Sequence, residues 1–194
     1  ISLLGLLIDA RSEHTTQRDW YVATLVCAPW RIDNAVDGEG LNLLEVDLFA
    51  AILNRHNKII APPCDVMLDA CDVNEQRFTN RVVERLNKWP VQGTTVRSEH
   101  KADAHHRVVG GASIVAKVVR DTIVNELEEQ LGFKIGSGYP SDPTTISALP
   151  NLIGPDEIHP DVRWSWATVE RFWGQHYDTS LPKRERGGTT LFSM

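Results

Sequence analysis

Residues 99–121 read EHKADAHHRVVGGASIVAKVVRD, and the fold turns on how this stretch divides. Just before it, Thr94 to Arg97 has the composition of a strand, and a short connection carries the chain on to Asp103. From Ala112 onward, Val115, Val119, Ile123, Leu127 and Leu131 recur at steps of four, as on a helix that packs along one side, and Gly132 is placed to stop it. Ser113, Lys117, Arg120 and Asp121 fall on the opposite side at spacings of three and four. The stretch therefore predicts a strand, an acid at its end, small residues behind the acid, and a helix with one face free. A carboxylate held at the lip of a sheet with hydroxyl and cationic groups opposite suits a metal and phosphate site.

Working outward, Val66-Met67-Leu68 is a short apolar run that stops at Asp69, a second strand with an acid at its carboxyl end. Asn74 is placed to cap a helix whose Phe78, Val82, Leu86 and Trp89 form one stripe before Pro90 ends it. Leu44, Leu48, Phe49 and Ile52 predict a helix over 41–54, and Tyr21 to Cys27 alternates as a strand ended by Pro29. Ile1 to Ala10 is too apolar to separate helix from strand. Strands alternating with helices imply an α/β layer structure, in which ligands bind outside the carboxyl ends of the strands. Asp69 and Asp103 are both expected there.

Composition bounds the chemistry. A chain of 194 residues with 42% apolar and 24% charged residues reads as one globular domain. No apolar run reaches the length of a membrane span, and ISLLGLLIDA lacks a basic flank and a cleavage site, so the expectation is a cytoplasmic protein without a membrane partner. Cys27, Cys64 and Cys71 have no CxxC spacing and suggest a reducing compartment rather than structural zinc. A formal charge of −6 means that any nucleic acid is met by a local patch.

Two strand-end acids can share a hard divalent cation, because magnesium takes a few carboxylates together with water and phosphate oxygens. Acids at strand ends also serve as loop residues or helix caps, and Asp72 reads as such a turn residue. His105 and His106, adjacent in the chain, are expected as solvated loop residues, with at most one joining a metal. In GSGYPSDP at 136–143, Gly136 and Gly138 permit unusual backbone and could offer amides to a phosphate or sugar. Asp142-Pro143 starts a helix over 144–149, which sets Tyr139 on a rigid corner where its ring can stack on a sugar or base.

Taken together, LDACDVNEQRF at 68–78, HKADAHHRVVGGASIVAKVVRD at 100–121, GSGYPSDPTT at 136–145 and VRWSWATVERFW at 162–173 resemble ribonuclease HII, the type 2 ribonuclease H, in its archaeal form. A weaker match, NLLEVDLFAAIL at 42–53, extends the resemblance upstream. It implies an RNase H-like mixed sheet flanked by helices, with a helical carboxyl-terminal extension. It also implies a DNA-repair endonuclease dependent on Mg2+ or Mn2+. Such an enzyme hydrolyses RNA in RNA/DNA hybrids and at ribonucleotides embedded in duplex DNA, cutting on the 5′ side of the ribonucleotide. Asp69 and Asp103 match the family's third and fourth metal-site acids and are the implied catalytic pair. Tyr139 matches the tyrosine near the ribose 2′-hydroxyl, and Lys101, Ser113, Lys117 and Gly138 match substrate-facing positions.

The amino end departs from the family, which begins with a strand ending Asp-Glu-Ala-Gly-Arg-Gly and supplies two more acids there. The nearest echo is Leu7-Ile8-Asp9-Ala10-Arg11. The preferred alignment instead makes residues 1–14 a helix, with Ala28 to Asp33 at a turn. Divergent use of Asp9 or Glu45, a truncated enzyme, and an inactive relative kept for nucleic-acid binding or assembly are the alternatives. Gly110-Gly111 stands where the family more often has Ser-Ala, which should loosen the helix start. The domain is expected over 1–175, with Trp164, Trp166, Phe172 and Trp173 packing a terminal helix against it, and a flexible tail over 176–194. Some family members carry a tail peptide that binds the sliding clamp, and Thr190 to Met194 is similar in being apolar and terminal.

Overall fold

The computed structural model describes residues 2–11, 18–57, 64–88, 90 and 92–184, with backbone alone at 2–11, 18 and 19. The chain begins with two paired strands, β1 (Ser2–Arg11) and β2 (Arg18–Cys27). The helix aligned over 1–14 is thus a strand over the described part. A run apolar on every side would leave a helix no solvent face, and Gly5 weakens one further. Paired with β2, the same residues satisfy their backbone in a ladder. Two helices follow, α1 (Pro29–Asp37) and α2 (Leu41–His56). A turn was expected over 28–33, but Pro29 stands in the first turn of α1, where its missing N–H is no loss and its φ is already helical. The predicted α2 forms, with Val46, Leu48, Ile52 and Leu53 buried.

Next come β3 (Cys64–Asp69), α3 (Glu75–Glu84) and β4 (Thr94–Glu99). β3 and β4 are parallel neighbours in a register that sets Val66 beside Val96 and Asp69 beside Glu99. Asn74 caps α3 as expected, accepting the Arg77 N–H at 2.8 Å. α3 stops at Glu84, short of the expected Pro90, because the Asn54 side chain takes over the chain there. Its amide donates to the Arg85 carbonyl at 2.9 Å and its oxygen accepts the Asn87 N–H at 2.7 Å. Phe78 and Val82 are fully buried, and Phe78 meets Phe49 edge-on. Trp89 lies outside the described residues.

The last four helices are α4 (Ala102–His105), α5 (Arg107–Leu131), α6 (Pro143–Leu152) and α7 (Ala167–His176). α5 starts five residues before the expected Ala112. Its most buried line runs through Ala112, Ala116, Val124 and Glu128, with the expected valine and leucine stripe half-buried beside it. Small residues let this face approach its neighbours closely, so the larger stripe is displaced to the flank. Gly132 ends α5 at φ +74.

Contacts divide the chain into two compact units, one of Leu3–Val26 and Leu41–Val119, the other of Ile1–Ser2, Cys27–Gly40 and Arg120–Met194. In the second unit Val169, Phe172 and Trp173 pack on Leu149, Ile153, Ile158 and Val162, with Trp164, Trp166, Tyr177 and Leu181 against them. The terminal helix packs as the aromatic residues predicted. Part of the expected tail is also held, since Arg184 pairs with the buried Asp33 at 3.0 Å and donates to the Val162 carbonyl at 2.8 Å. Asp33 also accepts the N–H groups of Trp164 and Ser165, each at 3.0 Å. Residues 185–194, including the apolar terminus, lie outside the described residues.

Candidate active site at the carboxyl ends of β3 and β4

Asp69 ends β3 and Glu99 ends β4, side by side. The chain leaves β4 through His100 and Lys101 and turns at once into α4, which carries Asp103. Lys101 makes that turn in the left-handed region, at φ 58 and ψ 36, a conformation that costs a side-chain-bearing residue about 1 kcal/mol. Surrounding bonds hold it there. The His100 N–H donates to Glu75 at 2.7 Å, the His100 ring bonds the Asp72 carbonyl at 2.7 Å, and Asp69 Oδ1 accepts the Ala102 N–H at 3.1 Å. Asp69 is therefore fixed to the first residue of α4, one residue before the exposed Asp103. Asp69 thus holds the residue that precedes Asp103 in the chain.

The small residues behind Asp103 were expected to bring the helix close to the sheet; the close approach observed is that of Gly110 to α4. A Cβ on Gly110 would stand 2.7 Å from the Asp103 carbonyl oxygen, so the first turn of α5 comes against α4 with no room for a side chain. Gly110 therefore serves a close approach between α5, which starts at Arg107, and α4. Ser113 and Lys117 lie exposed on α5, and Lys101 is exposed at the turn.

Two histidine expectations need correction. His105 and His106 reach solvent as expected but are not loop residues: His105 ends α4, His106 follows it, and both meet the Glu99 carboxylate, His105 through Nδ1 and His106 through Nε2 at 2.9 Å. Consecutive side chains diverge along a strand, but here α4 ends between the two, and the change of backbone turns both rings to one acid. Hydrogen bonds from His106 and His105 hold the Glu99 carboxyl below its usual range. Asp72 is also more than a turn residue. It is almost wholly buried, accepts the Asn74 N–H at 3.1 Å, and pairs with Arg77 and with Arg81 at 3.3 Å. The Arg77 side chain, followed by the Asn74 N–H, holds its carboxyl down to about 2. Partial desolvation, reinforced by Glu45, pushes the Cys71 thiol far up although the residue lies at the surface. Among the described residues, no group of three His, Cys, Asp or Glu side chains converges on a cation position. Asp9 lies on β1 and its side chain is outside the described part.

In the other unit, the loop after α5 is built on two acids. The buried Glu128 accepts the N–H groups of Ile135 at 2.8 Å and Gly136 at 3.0 Å and pairs with Lys134 at 2.6 Å. Asp142 accepts those of Ser137 at 2.6 Å and Thr144 at 2.8 Å, while the Gly138 N–H goes to Thr145 Oγ1 at 3.0 Å. The amides expected for a phosphate at Gly136 and Gly138 are thus engaged internally, and what the loop presents is Tyr139, 55% exposed. Arg120 also has a different place from the expected phosphate contact: its guanidinium lies 4.0 Å from the Tyr139 ring centre, donates to the Ser137 carbonyl and pairs with Asp121 at 3.1 Å.

Glu75 and Glu128 were missed because acids that bond a loop's own backbone leave no periodic trace, and Glu99 because its partners are side chains of the following turn. Glu99 had one local signal, an acid followed at six and seven positions by histidines.

The sequence profile of the Ribonuclease HII family matches residues 23–169. The chain belongs to the ribonuclease HII family. That family is one of ribonuclease H type endonucleases. A ribonuclease HII from Methanocella arvoryzae is 36% identical over 179 residues, covering 87% of this chain and 75% of the relative. Relatives of the same name from Methanococcus maripaludis are spanned over 60% of their length. The crystal structure of ribonuclease H2 from Pyrococcus horikoshii superposes with a TM-score of 0.65 at 35% identity, over 81% of this chain and 69% of that one. The ribonuclease HII of a PCNA complex from Archaeoglobus fulgidus gives 0.63 at 31% identity, over 76% and 67%. The expected α/β fold of the ribonuclease HII family is the one observed, a small sheet flanked by helices. Among the described residues, no helix is long and apolar enough to cross a membrane.

Proposed function

We propose that this chain is a divalent-metal-dependent endonuclease acting on RNA in RNA/DNA hybrids and on ribonucleotides embedded in duplex DNA, cutting on the 5′ side of the ribonucleotide. The observation that carries the reading is the Asp69 to Ala102 hydrogen bond, which sets two acids of the family pattern at the mouth of a parallel strand pair. Family membership supports the reaction class.

The donor set fits one hard cation. One oxygen of Asp69 takes the Ala102 N–H, a carboxylate has a second, and Asp103 is exposed beside it; Mg2+ or Mn2+ completes its shell from water and phosphate oxygens. Bound there, such an ion supplies Lewis acidity toward a phosphodiester and an acidified water. The chain's own groups would orient the substrate. Lys101 and Lys117 would neutralise phosphate charge, Ser113 would hydrogen-bond the backbone, and Tyr139, carried on Gly138, would meet the ribose. A further proposal, supported by the likeness to a protein solved with PCNA, is a clamp contact through the tail beyond 184; binding of a peptide of residues 185–194 to an archaeal clamp tests it.

A second reading, motivated by the departure of Leu7 to Arg11 from the family pattern, is an inactive relative that binds nucleic acid. An end-labelled DNA duplex with one ribonucleotide, in Mg2+ or Mn2+, separates the two. Nicking 5′ of the ribonucleotide that vanishes in Asp103→Asn supports the nuclease. Folded protein that binds the duplex without cutting it supports the second reading.

A further inference from the structure

The acid turn contains a group that the family pattern does not assign: Glu99, His105 and His106. α4 is four residues long, far below the length at which a helix holds itself together in water. Whatever fixes it also fixes Asp103. Its first residue is tied by Asp69 through the Ala102 N–H at 3.1 Å. Its last residue, His105, and the residue after it, His106, each bond one oxygen of Glu99. Asp69 and Glu99 are register partners on parallel strands, so carboxylates on neighbouring strands grip the two ends of one helical turn. A bond to one imidazole alone would let α4 roll about its axis. Two bonds to a single planar carboxylate, from consecutive residues, remove that rotation.

We propose that Glu99, acting through His105 and His106, is a positioning residue that sets the direction in which α4 presents the Asp103 carboxylate to a divalent cation. The grip on α4 stands on the geometry; its purpose rests on the functional reading above. Glu99 faces the imidazoles, so it acts on Asp103 and makes no claim to be a ligand. Partners that orient a metal-binding group are worth about tenfold to a hundredfold in metal affinity or activity.

The test uses the full chain, with Glu99→Gln, Asp103→Asn and the double variant. Glu99→Gln retains one oxygen acceptor and so protects the fold where Glu99→Ala would risk it. Amide hydrogen exchange at Ala104 and His106 should accelerate in Glu99→Gln; unchanged exchange overturns the grip. Mn2+ binding, followed by electron paramagnetic resonance without substrate, should weaken by about tenfold or more in Glu99→Gln and by no further factor when Asp103→Asn is already present. Equal weakening in both backgrounds overturns positioning, because Glu99 would then act on the cation independently of Asp103. Wild-type chain that nicks a ribonucleotide duplex while Glu99→Gln nicks and binds Mn2+ equally well removes this inference alone. Wild-type chain that neither nicks nor binds Mn2+ removes the functional reading and this purpose with it, while the exchange result still decides the grip.

Discussion

At the acid turn, Glu75, Asp69 and Asp72 accept the main-chain N–H groups of His100, Ala102 and Asn74. At the tyrosine corner, Glu128 and Asp142 accept those of Ile135, Gly136, Ser137 and Thr144. Both regions are irregular chain made rigid by carboxylates, since a buried or half-buried N–H must find an acceptor. They differ in what is left over. The corner uses both its acids on its own backbone and exposes a ring, Tyr139. The acid turn uses its neighbours' acids and exposes a carboxylate, Asp103. They differ also in where the left-handed backbone falls, on Gly136 and Gly138 in the corner and on Lys101 at the turn. A glycine there is relaxed, whereas Lys101 is held by what surrounds it. At the corner the expected chemistry sits on the residue the scaffold does not use; at the acid turn it is shared between Asp103, which is left over, and Asp69, which also holds the Ala102 N–H.

Four measurements test whether the two regions differ in this way. Phe78→Ala opens a cavity beneath α3, which carries Glu75 and the arginines paired with Asp72, and should cost about 3–5 kcal/mol in denaturant unfolding. Exchange protection should fall first at the acid turn and last at the corner; simultaneous loss would mean the two share one cooperative scaffold. Gly110→Val forces a side chain against the Asp103 carbonyl and should cost about 1–3 kcal/mol, with nicking lost beyond what stability explains. Normal nicking in that variant would show that α4 tolerates displacement.

Acid should loosen both regions over one window. Hydrogen bonds from Arg77 and Asn74 hold Asp72 at about 2, and bonds from Ser137 and Thr144 hold Asp142 at about 2. A carboxyl depressed on folding stabilises above its unfolded pKa, and that stability is lost as pH falls toward the folded value. Unfolding midpoints should therefore decline between about pH 4 and pH 2, and Asp72→Asn and Asp142→Asn should be weaker than wild type at pH 5 and equal to it at the acid end. A gap that persists at low pH would mean that geometry, not charge, carries their effect. The smallest effect is Lys101→Gly, which relieves left-handed strain and should raise stability by less than about 1 kcal/mol while lowering nicking, because the turn loses stiffness. A rise in both would show that the strain serves nothing.

Much of the site was legible because it follows local rules. Asn74 and Asp142 announced their helices by cap chemistry, Gly132 ended α5, and the apolar run before Asp69 made a strand with an acid at its end. What failed did so where distant groups intervened. Asn54 stops α3 six residues before Pro90, and pairing with β2 makes a strand of an amino end that periodicity left undecided. Glu99 gathers two histidines that spacing would have sent apart.

Neighbouring residues were enough to specify the alternation of strands and helices, the family and the tyrosine corner, because caps, periods and motifs are local. Packing between distant segments chose which acids hold backbone and which are left exposed. That choice depends on which N–H groups a turn leaves without partners, and a turn is closed by side chains from other strands and helices, far away in the chain.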